Sequence, residues 1–234
     1  MNLGNKLMLR MLNEVQEYNN RYPREKVARI IDAMKVIDRK LFVPAGMENA
    51  AYDDAPLPIG HGQTISQPST VARMILLLGI GKGMNILEIG AGSGWNAALL
   101  SYIVHPGRVT AIERIGFLTN NAKKNIEKIK KYLSNADKNK LSKIILLTED
   151  ALNKKSSIWE SKYDRIIITA GIERDDTKTN SIIRNMASRL LRNNGILICP
   201  YTVGPLQIYR KEKRLKKEET SEEYVFVPLL EEVV

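Results

Sequence analysis

Cysteine is all but missing: Cys199 is the only one in 234 residues. A lone thiol cannot close an internal disulfide, and a cysteine-rich metal site is excluded. Its neighbours, Gly195-Ile196-Leu197-Ile198-Cys199-Pro200, are apolar, which reads as a core thiol and not a nucleophile. No run of about 20 apolar residues occurs, so no membrane span is expected. The opening Met1-Asn2-Leu3-Gly4-Asn5-Lys6-Leu7-Met8 breaks off before a signal-peptide core can form. Asn2 does not fit a myristoylation site, and the terminal Glu231-Glu232-Val233-Val234 has no prenylation cysteine. A reducing, cytoplasmic setting is therefore expected. Aromatic residues are sparse at 6%, and they are not interleaved with the lysine-rich stretches at 123–143 and 210–217. A single-strand nucleic-acid binder needs that interleaving for base stacking. The net charge of +10 thus reads as solvated faces, a helix with its loop and a hairpin. An acidic polypeptide partner fits that surface as well as a nucleic acid does, and charge alone does not choose the substrate.

What is present is an ordinary globular composition, 44% apolar and 26% charged. That supports one α/β core with additions rather than two domains. Residues 5–18 and 24–40 have helical periodicity, the second with Val27, Ile30, Ile31, Met34 and Ile37 on one face. Pro56, Pro58 and Pro68, with Gly60 and Gly62, make 52–68 a structured loop, neither helix nor strand. A helix is expected over 69–79, capped by Ser69 or Thr70. Short apolar strands follow at 85–89, 108–113, 144–148, 163–169 and 196–201, with helices at 96–104, 117–133 and 179–192. Residues 134–143 read as a polar connection. Asn193-Asn194-Gly195 reads as a left-handed helix stop. Leu206–Arg210 and Tyr224–Val227 are expected to close the sheet as an antiparallel pair. Strands alternating with helices imply a doubly wound, mostly parallel sheet with helices on both faces. The expected organisation is one domain over 1–234. It comprises N-terminal helices and a covering loop (1–82), an α/β core (83–203) and C-terminal strands (204–234).

The clearest chemical signal is Ile86-Leu87-Glu88-Ile89-Gly90-Ala91-Gly92-Ser93-Gly94-Trp95. A buried strand runs into a turn with glycine at every second position. Glycine there allows φ > 0 and close approach of a ligand to the backbone, at the carboxyl end of a strand, where open α/β sheets bind ligands. The spacing Gly-x-Gly-x-Gly is not the dinucleotide fingerprint, and no Gly-Lys-Ser/Thr ending makes it a phosphate loop. Glu88, inside the strand, would repel a pyrophosphate and suits a ligand with an ammonium group. Glu113, ending the second strand beside Arg114, can accept hydrogen bonds from both hydroxyls of a ribose. Asp150, with the backbone N–H of Ala151, can face an adenine edge.

Together these stations resemble the class I S-adenosylmethionine-dependent methyltransferases, with their Rossmann-like sheet. The resemblance implies that Glu88, Gly90, Ala91, Gly92 and Gly94 hold the methionine part of the cofactor, Glu113 the ribose, and Asp150 and Ala151 the adenine, with Arg114 also in the cofactor site. Upstream, Asp38-Arg39-Lys40-Leu41-Phe42-Val43-Pro44, Ala51-Tyr52-Asp53-Asp54-Ala55-Pro56-Leu57-Pro58-Ile59-Gly60 and Gly62-Gln63-Thr64-Ile65-Ser66-Gln67-Pro68 resemble the N-terminal signature of the protein-L-isoaspartate O-methyltransferases. That likeness runs from about residue 24 to the end. It implies methyl transfer from S-adenosyl-L-methionine, leaving S-adenosyl-L-homocysteine, to the free α-carboxylate of isoaspartyl residues in damaged polypeptides. The ester then collapses to a succinimide. It further implies that Thr64, Ile65 and Ser66 cover the cofactor and meet the substrate, with the Ser66 hydroxyl donating to the substrate carboxylate. A carboxylate is ionised at neutral pH, so no strong general base is needed. That accounts for the lack of any His/Asp or Cys/His constellation. No metal is expected, and a monomer is. His61 reads as a surface imidazole and Trp95 as packing.

The chain departs from the family pattern after the third and fourth strands, and Ser69 stands after Pro68 where the family often has an aromatic residue or His. Thr148-Glu149-Asp150-Ala151 replaces a Gly-Asp-Gly segment, and Thr169-Ala170-Gly171-Ile172-Glu173-Arg174-Asp175-Asp176 is a charged loop near the expected substrate side. Two other readings stay open at this stage: an RNA methyltransferase, motivated by charge, and a cofactor-binding relative without catalysis, motivated by that loop. A DNA amino-methylating enzyme is disfavoured, because no Asn/Asp-Pro-Pro-aromatic turn follows the fourth strand.

Overall fold

The structure, a computed structural model, describes residues 3–230. Helices α1 (Leu3–Tyr18) and α2 (Arg24–Val36) come first. A hairpin of β1 (Leu57–Gly60) and β2 (Gln63–Ile65) leads into α3 (Pro68–Leu78). The core then runs β3 (Asn85–Ile89), α4 (Trp95–Val104), β4 (Arg108–Glu113), α5 (Gly116–Lys130), α6 (Asn135–Lys140), β5 (Ile144–Thr148), β6 (Tyr163–Ile168), α7 (Thr177–Leu190) and β7 (Leu191–Pro200). It closes with β8 (Val203–Gly204), β9 (Leu206–Lys211), β10 (Leu215–Glu219) and β11 (Tyr224–Val225). No described helix is long and apolar enough to cross a membrane.

The main sheet has the order β10-β9-β7-β6-β3-β4-β5. Strands β7, β6, β3, β4 and β5 are parallel, and β9 and β10 are antiparallel additions. The chain lays down β4 and β5 on one side of β3, then crosses to lay β6 and β7 on the other. The order therefore reverses between β3 and β6, which is where such sheets open a crevice. The central strands are apolar on both faces because both are covered. Ile86, Val109, Ala111 and Ile167 pack with α2, α3 and α4, while Leu87, Ile89, Ile166 and Ile168 pack with Ile183, Met186 and Leu190 of α7. Strand alternation puts Glu88 on the same face as Ile86. Helix α5 buries Leu118, Ala122, Ile126 and Ile129 and turns its lysines to solvent, as a solvated basic face requires.

Several expectations are corrected. The 52–68 loop contains the β1–β2 hairpin, with Leu57 opposite Ile65 and Pro58 opposite Thr64. Its tip residues Gly60, His61 and Gly62 all have positive φ, at 96°, 53° and 69°. Helix α2 stops at Val36, and Asp38 Oδ1 accepts from Lys40 N at 3.0 Å to start a 3-10 turn over Arg39–Phe42. Neither Ser69 nor Thr70 caps α3, because Pro68 already occupies its first turn. The Ser69 N–H is instead taken by Asp54 Oδ1, reaching over from the loop at 2.8 Å. The 134–143 connection contains α6, capped by Ser134 Oγ accepting from Asp137 N. Helix α7 ends at Leu190, and Asn194, with φ 62°, lies within β7. Leu206–Lys211 pairs with Leu215–Glu219, not with 224–227, while Tyr224 and Val225 pair with Gly204 and Val203. The partner strand Leu215-Lys216-Lys217-Glu218-Glu219 is a charged edge, a pattern that guards a sheet against further pairing and hides the strand from an apolar reading.

Candidate functional site

At the β3/β6 reversal the backbone leaves β3 through Gly90, Gly92 and Gly94, with φ of 93°, 52° and 83°. The N–H groups of Gly90 and Ala91 both donate to Ile112 O, at 2.9 and 3.1 Å, which ties the turn to the end of β4. A Cβ on Gly90 would sit 2.5 Å from Thr169 Oγ1, and one on Gly92 would sit 3.2 Å from Ile59 Cδ1 in the covering hairpin. Both glycines thus border the cleft with little room for a side chain, Gly90 against Thr169 and Gly92 against the covering hairpin. Gly90→Ala is expected to cost about 1–3 kcal/mol of stability through its φ and the Thr169 contact. Thermal unfolding of the variant checks this.

The cleft has two connecting chambers. One, of about 620 Å³, is lined by Thr64, Ile65, Ser66, Glu88, Ala91 and Gly92. The other, of about 430 Å³, is lined by Arg114, Ile115, Asp150, Ala151 and Leu229. Gln63, Gly90, Glu113 and Ala170 line both and mark the passage between them. An outer groove of about 1040 Å³ shares Thr64, Ser66, Thr169 and Val227 with the first chamber.

Glu88, Glu113 and Asp150, the three carboxylates expected to meet a ligand, are spread along this cleft. Glu88 is fully buried, and Asn96 Nδ2 donates to its Oε1 at 2.8 Å. Its Oε2 has no hydrogen-bond partner, nor has Asn96 Oδ1. Burial pushes the Glu88 carboxyl up to about 8, the Asn96 bond opposes this, and the neighbouring Glu113 adds to it. Glu113, also buried, accepts from Gly92 N at 2.9 Å through Oε2 and from Ile115 N at 3.0 Å through Oε1. Each oxygen keeps a second lone pair for a ligand hydroxyl. Asp150 Oδ1 accepts from Leu152 N at 2.8 Å, which fixes the turn that carries Ala151. Glu149 also lines the second chamber, but its carboxylate is taken up within the chain: Ser156 Oγ, Ser157 N and Ser157 Oγ donate to it, and they outweigh the effect of its partial burial to hold its carboxyl low. The altered segment after β5 therefore still brings Asp150 and Ala151 to the cleft.

The covering side is built by one cation. Arg39 is fully buried, and its guanidinium donates to the carbonyls of Ala51, Asp53, Ala55, Ile65 and Ser66. It lies 5.5 Å from the Trp95 ring centre. Trp95 itself is buried, its Nε1 donating to Ile37 O at 2.9 Å, so it packs the turn as expected. Thr64, Ile65 and Ser66 are thus set over the first chamber, and Thr64 and Ser66 also face the groove.

Gly94 is the predicted residue that the structure does not bring to the cleft. Its α-carbon packs against α5, where a Cβ would meet Ala122 Cβ at 3.0 Å. His61 is exposed at the hairpin tip, with its ring 5.0 Å from that of Phe117. The charged loop after β6 turns outward: Glu173, Arg174 and Asp175 are exposed and line neither chamber nor groove, and Arg174 lies over Tyr201 at 4.4 Å. Sequence reasoning missed Thr169, Asn96 and Gln63. Thr169 Oγ1 donates to Gly90 O at 2.6 Å and braces the glycine turn from β6. Asn96, a polar residue in the first turn of the mostly apolar α4, was the visible signal.

The donor set fits the cofactor that the resemblance implies. A buried carboxylate oxygen and a buried amide oxygen, both without donors, are costly unless a ligand supplies one. A ligand with a cationic methionine end does so, while Glu113 and Asp150 offer acceptors further along. Comparison with known proteins agrees. A protein from Aeropyrum pernix named protein-L-isoaspartate O-methyltransferase is 52% identical over 101 residues, 43% of this chain and 39% of that one. The chain thus spans less than half the length of that relative. One of the same name from Thermosipho melanesiensis is 34% identical over 218 residues, covering 92% of this chain and 99% of its own. A structure described as such an enzyme from Plasmodium falciparum, in complex with S-adenosyl-L-homocysteine, shares the fold with TM-score 0.71 at 21% identity, covering 95% of this chain and 98% of that one. The family model for protein-L-isoaspartate(D-aspartate) O-methyltransferase matches residues 11–233, and with the glycine turn, the three carboxylates and the Thr64–Ser66 cover all meeting in one cleft, the chain belongs to that family.

Proposed function

We propose that this chain transfers a methyl group from S-adenosyl-L-methionine to the free α-carboxylate of L-isoaspartyl residues in damaged proteins, starting their repair through a succinimide. The observation that carries the reading is the shared wall of Thr64, Ser66 and Thr169, which joins an inner chamber with an unpartnered buried carboxylate to an open groove. When bound, the cofactor supplies an activated methyl on a positively charged sulfur. Glu88 and Asn96 receive its cationic end, Gly90, Ala91 and Gly92 let its backbone-hugging portion lie close, Glu113 with Arg114 takes the ribose, and Asp150 with Ala151 takes the adenine. Ser66 donates its hydroxyl to the acceptor carboxylate and turns one oxygen toward the chamber, while Thr64 and Ile65 exclude water. The acceptor is already an anion at neutral pH, so the residues need only align the reacting atoms at roughly 3 Å.

The chain acts as one domain. The N-terminal helices and covering loop (1–82) and the C-terminal strands (204–234) complete a site founded on the α/β core (83–203). We place it in the cytoplasm, in keeping with its single, buried thiol, as a monomer whose partners are isoaspartyl polypeptides rather than nucleic acid. The test is methyl transfer from labelled cofactor to an isoaspartyl peptide and to its normal aspartyl twin. Transfer to the first alone supports the reading, and transfer to neither with cofactor bound overturns it. Ser66→Ala is expected to lower kcat/KM by about 10- to 100-fold, the worth of one hydrogen bond to a charged group. An unchanged kcat/KM removes Ser66 from the role.

A further inference from the structure

The outer groove carries an exposed apolar pair that the methyl-transfer site does not use. Val203 and Val225 face each other across the β8–β11 pair and remain 63% and 80% exposed. Directly opposed residues of an antiparallel pair project from the same face. The flanking Tyr224 and Phe226 also line the groove but are buried, with ring centres 6.3 Å apart. Upstream, Glu222 is held by Arg21 and by the buried Arg73, whose Nη2 also donates to Tyr18 O at 3.0 Å. The strand is therefore anchored at Glu222 and by its buried aromatic rings, and Val225 is left exposed between them. Exposed apolar residues on an anchored strand bordering a groove mark a contact site, where scattered ones would not.

The occupant is fixed by continuity and by charge. The groove that Val203 and Val225 line runs into the first chamber through Thr64, Ser66, Thr169 and Val227. Whatever presents its carboxylate to Ser66 must lay its neighbouring residues along this wall. Although the chain has a net charge of +10, no lysine or arginine lines the groove, and its one charged lining residue is Glu223. An acidic neighbour gains no cation there and meets a like charge, whereas an apolar neighbour removes two exposed valines from water.

We propose that Val203 and Val225 form an apolar subsite that selects acceptors with an apolar residue next to the isoaspartyl residue. This rests on the methyl-transfer reading. The experiment uses the full chain and isoaspartyl peptides that differ only in a flanking Val or Glu, placed on either side. The Val peptide is expected to have a KM about tenfold lower than its Glu counterpart on at least one side, with kcat alike. Val225→Asp and Val203→Asp should bring that ratio close to one while cofactor binding by calorimetry stays unchanged, and Val225→Ile should preserve it. Equal KM values for the Val and Glu peptides with the unaltered chain, or a ratio untouched by Val225→Asp, overturn the subsite while leaving methyl transfer standing. Absence of turnover on every peptide overturns the reading beneath it.

Discussion

Glu88→Gln is expected to stabilise the cofactor-free chain at pH 8 and, at the same time, to weaken cofactor binding. The carboxyl is fully buried, its Oε2 has no partner, and burial lifts it from 4.5 to about 8. The folded form therefore holds a proton that the unfolded chain has already lost. Between these two values the native state binds more protons, so stability is greatest below 4.5 and falls as pH rises toward 8. The slope approaches about 1.4 kcal/mol per pH unit for one group. Glutamine keeps the shape and the Asn96 contact but has nothing to ionise, so its denaturation free energy should lack this slope. Chemical denaturation at pH 5, 6.5 and 8 reads the difference. Parallel slopes in the two proteins would falsify the buried-proton account. The same geometry links the proton to the ligand. A cationic group beside Oε2 favours the ionised form, so binding at pH 7 should release part of a proton, visible as a dependence of calorimetric enthalpy on buffer. Glu88→Gln should abolish that release and weaken binding by about 10- to 100-fold, as expected for losing a hydrogen bond to a charged acceptor.

How far such a site can be read from sequence depends on where its information sits. The strand Asn85–Ile89 and its glycine turn are local: five residues of apolar run and three glycines declare both the element and its ligand face. Glu113 was legible for the same reason, since parallel register aligns the ends of β3 and β4, with Ile89 opposite Ile112. Thr169 was not, because its contact with the Gly90 carbonyl joins residues 79 apart and depends on β6 being laid beside β3. The β1–β2 hairpin was missed because prolines and glycines there signal breaks, while pairing is set by the register of Leu57 on Ile65. Strand β10 was missed for the opposite reason: its Lys and Glu residues suit a solvent-facing edge and leave no apolar alternation to detect. Gly94 looked like part of the ligand turn by spacing alone. Only the packing of α4 on α5 shows that its missing side chain makes room for Ala122.

Loss of the Arg39 guanidinium should have the largest effect on the covering loop. Its Nη1 donates to Ala51 O at 2.8 Å and Asp53 O at 3.2 Å, and its Nη2 to Ala55 O at 2.8 Å, Ser66 O at 3.2 Å and Ile65 O at 3.4 Å. Burial pulls its pKa down to about 10, against the pull of Asp54 and Asp53, so it is still charged at neutral pH. Arg39→Ala leaves five carbonyls without their donor and a void beside Trp95, at an expected cost of about 3–5 kcal/mol. Arg39→Lys keeps the charge, but a single ammonium has three donors and no plane to lie near the indole, so it should recover part of the stability and little of the order. The two variants separate scaffold from site. If the guanidinium positions Ser66, the Lys variant, tested at a temperature where it is folded, should bind cofactor nearly as well as the parent while its KM for isoaspartyl peptide rises. Amide hydrogen exchange over 51–66 should quicken in step. A Lys variant with normal KM and normal exchange would confine Arg39 to holding the fold together. Loss of cofactor binding in step with peptide binding would mean that the hairpin and the loop behind it close the inner chamber as one unit.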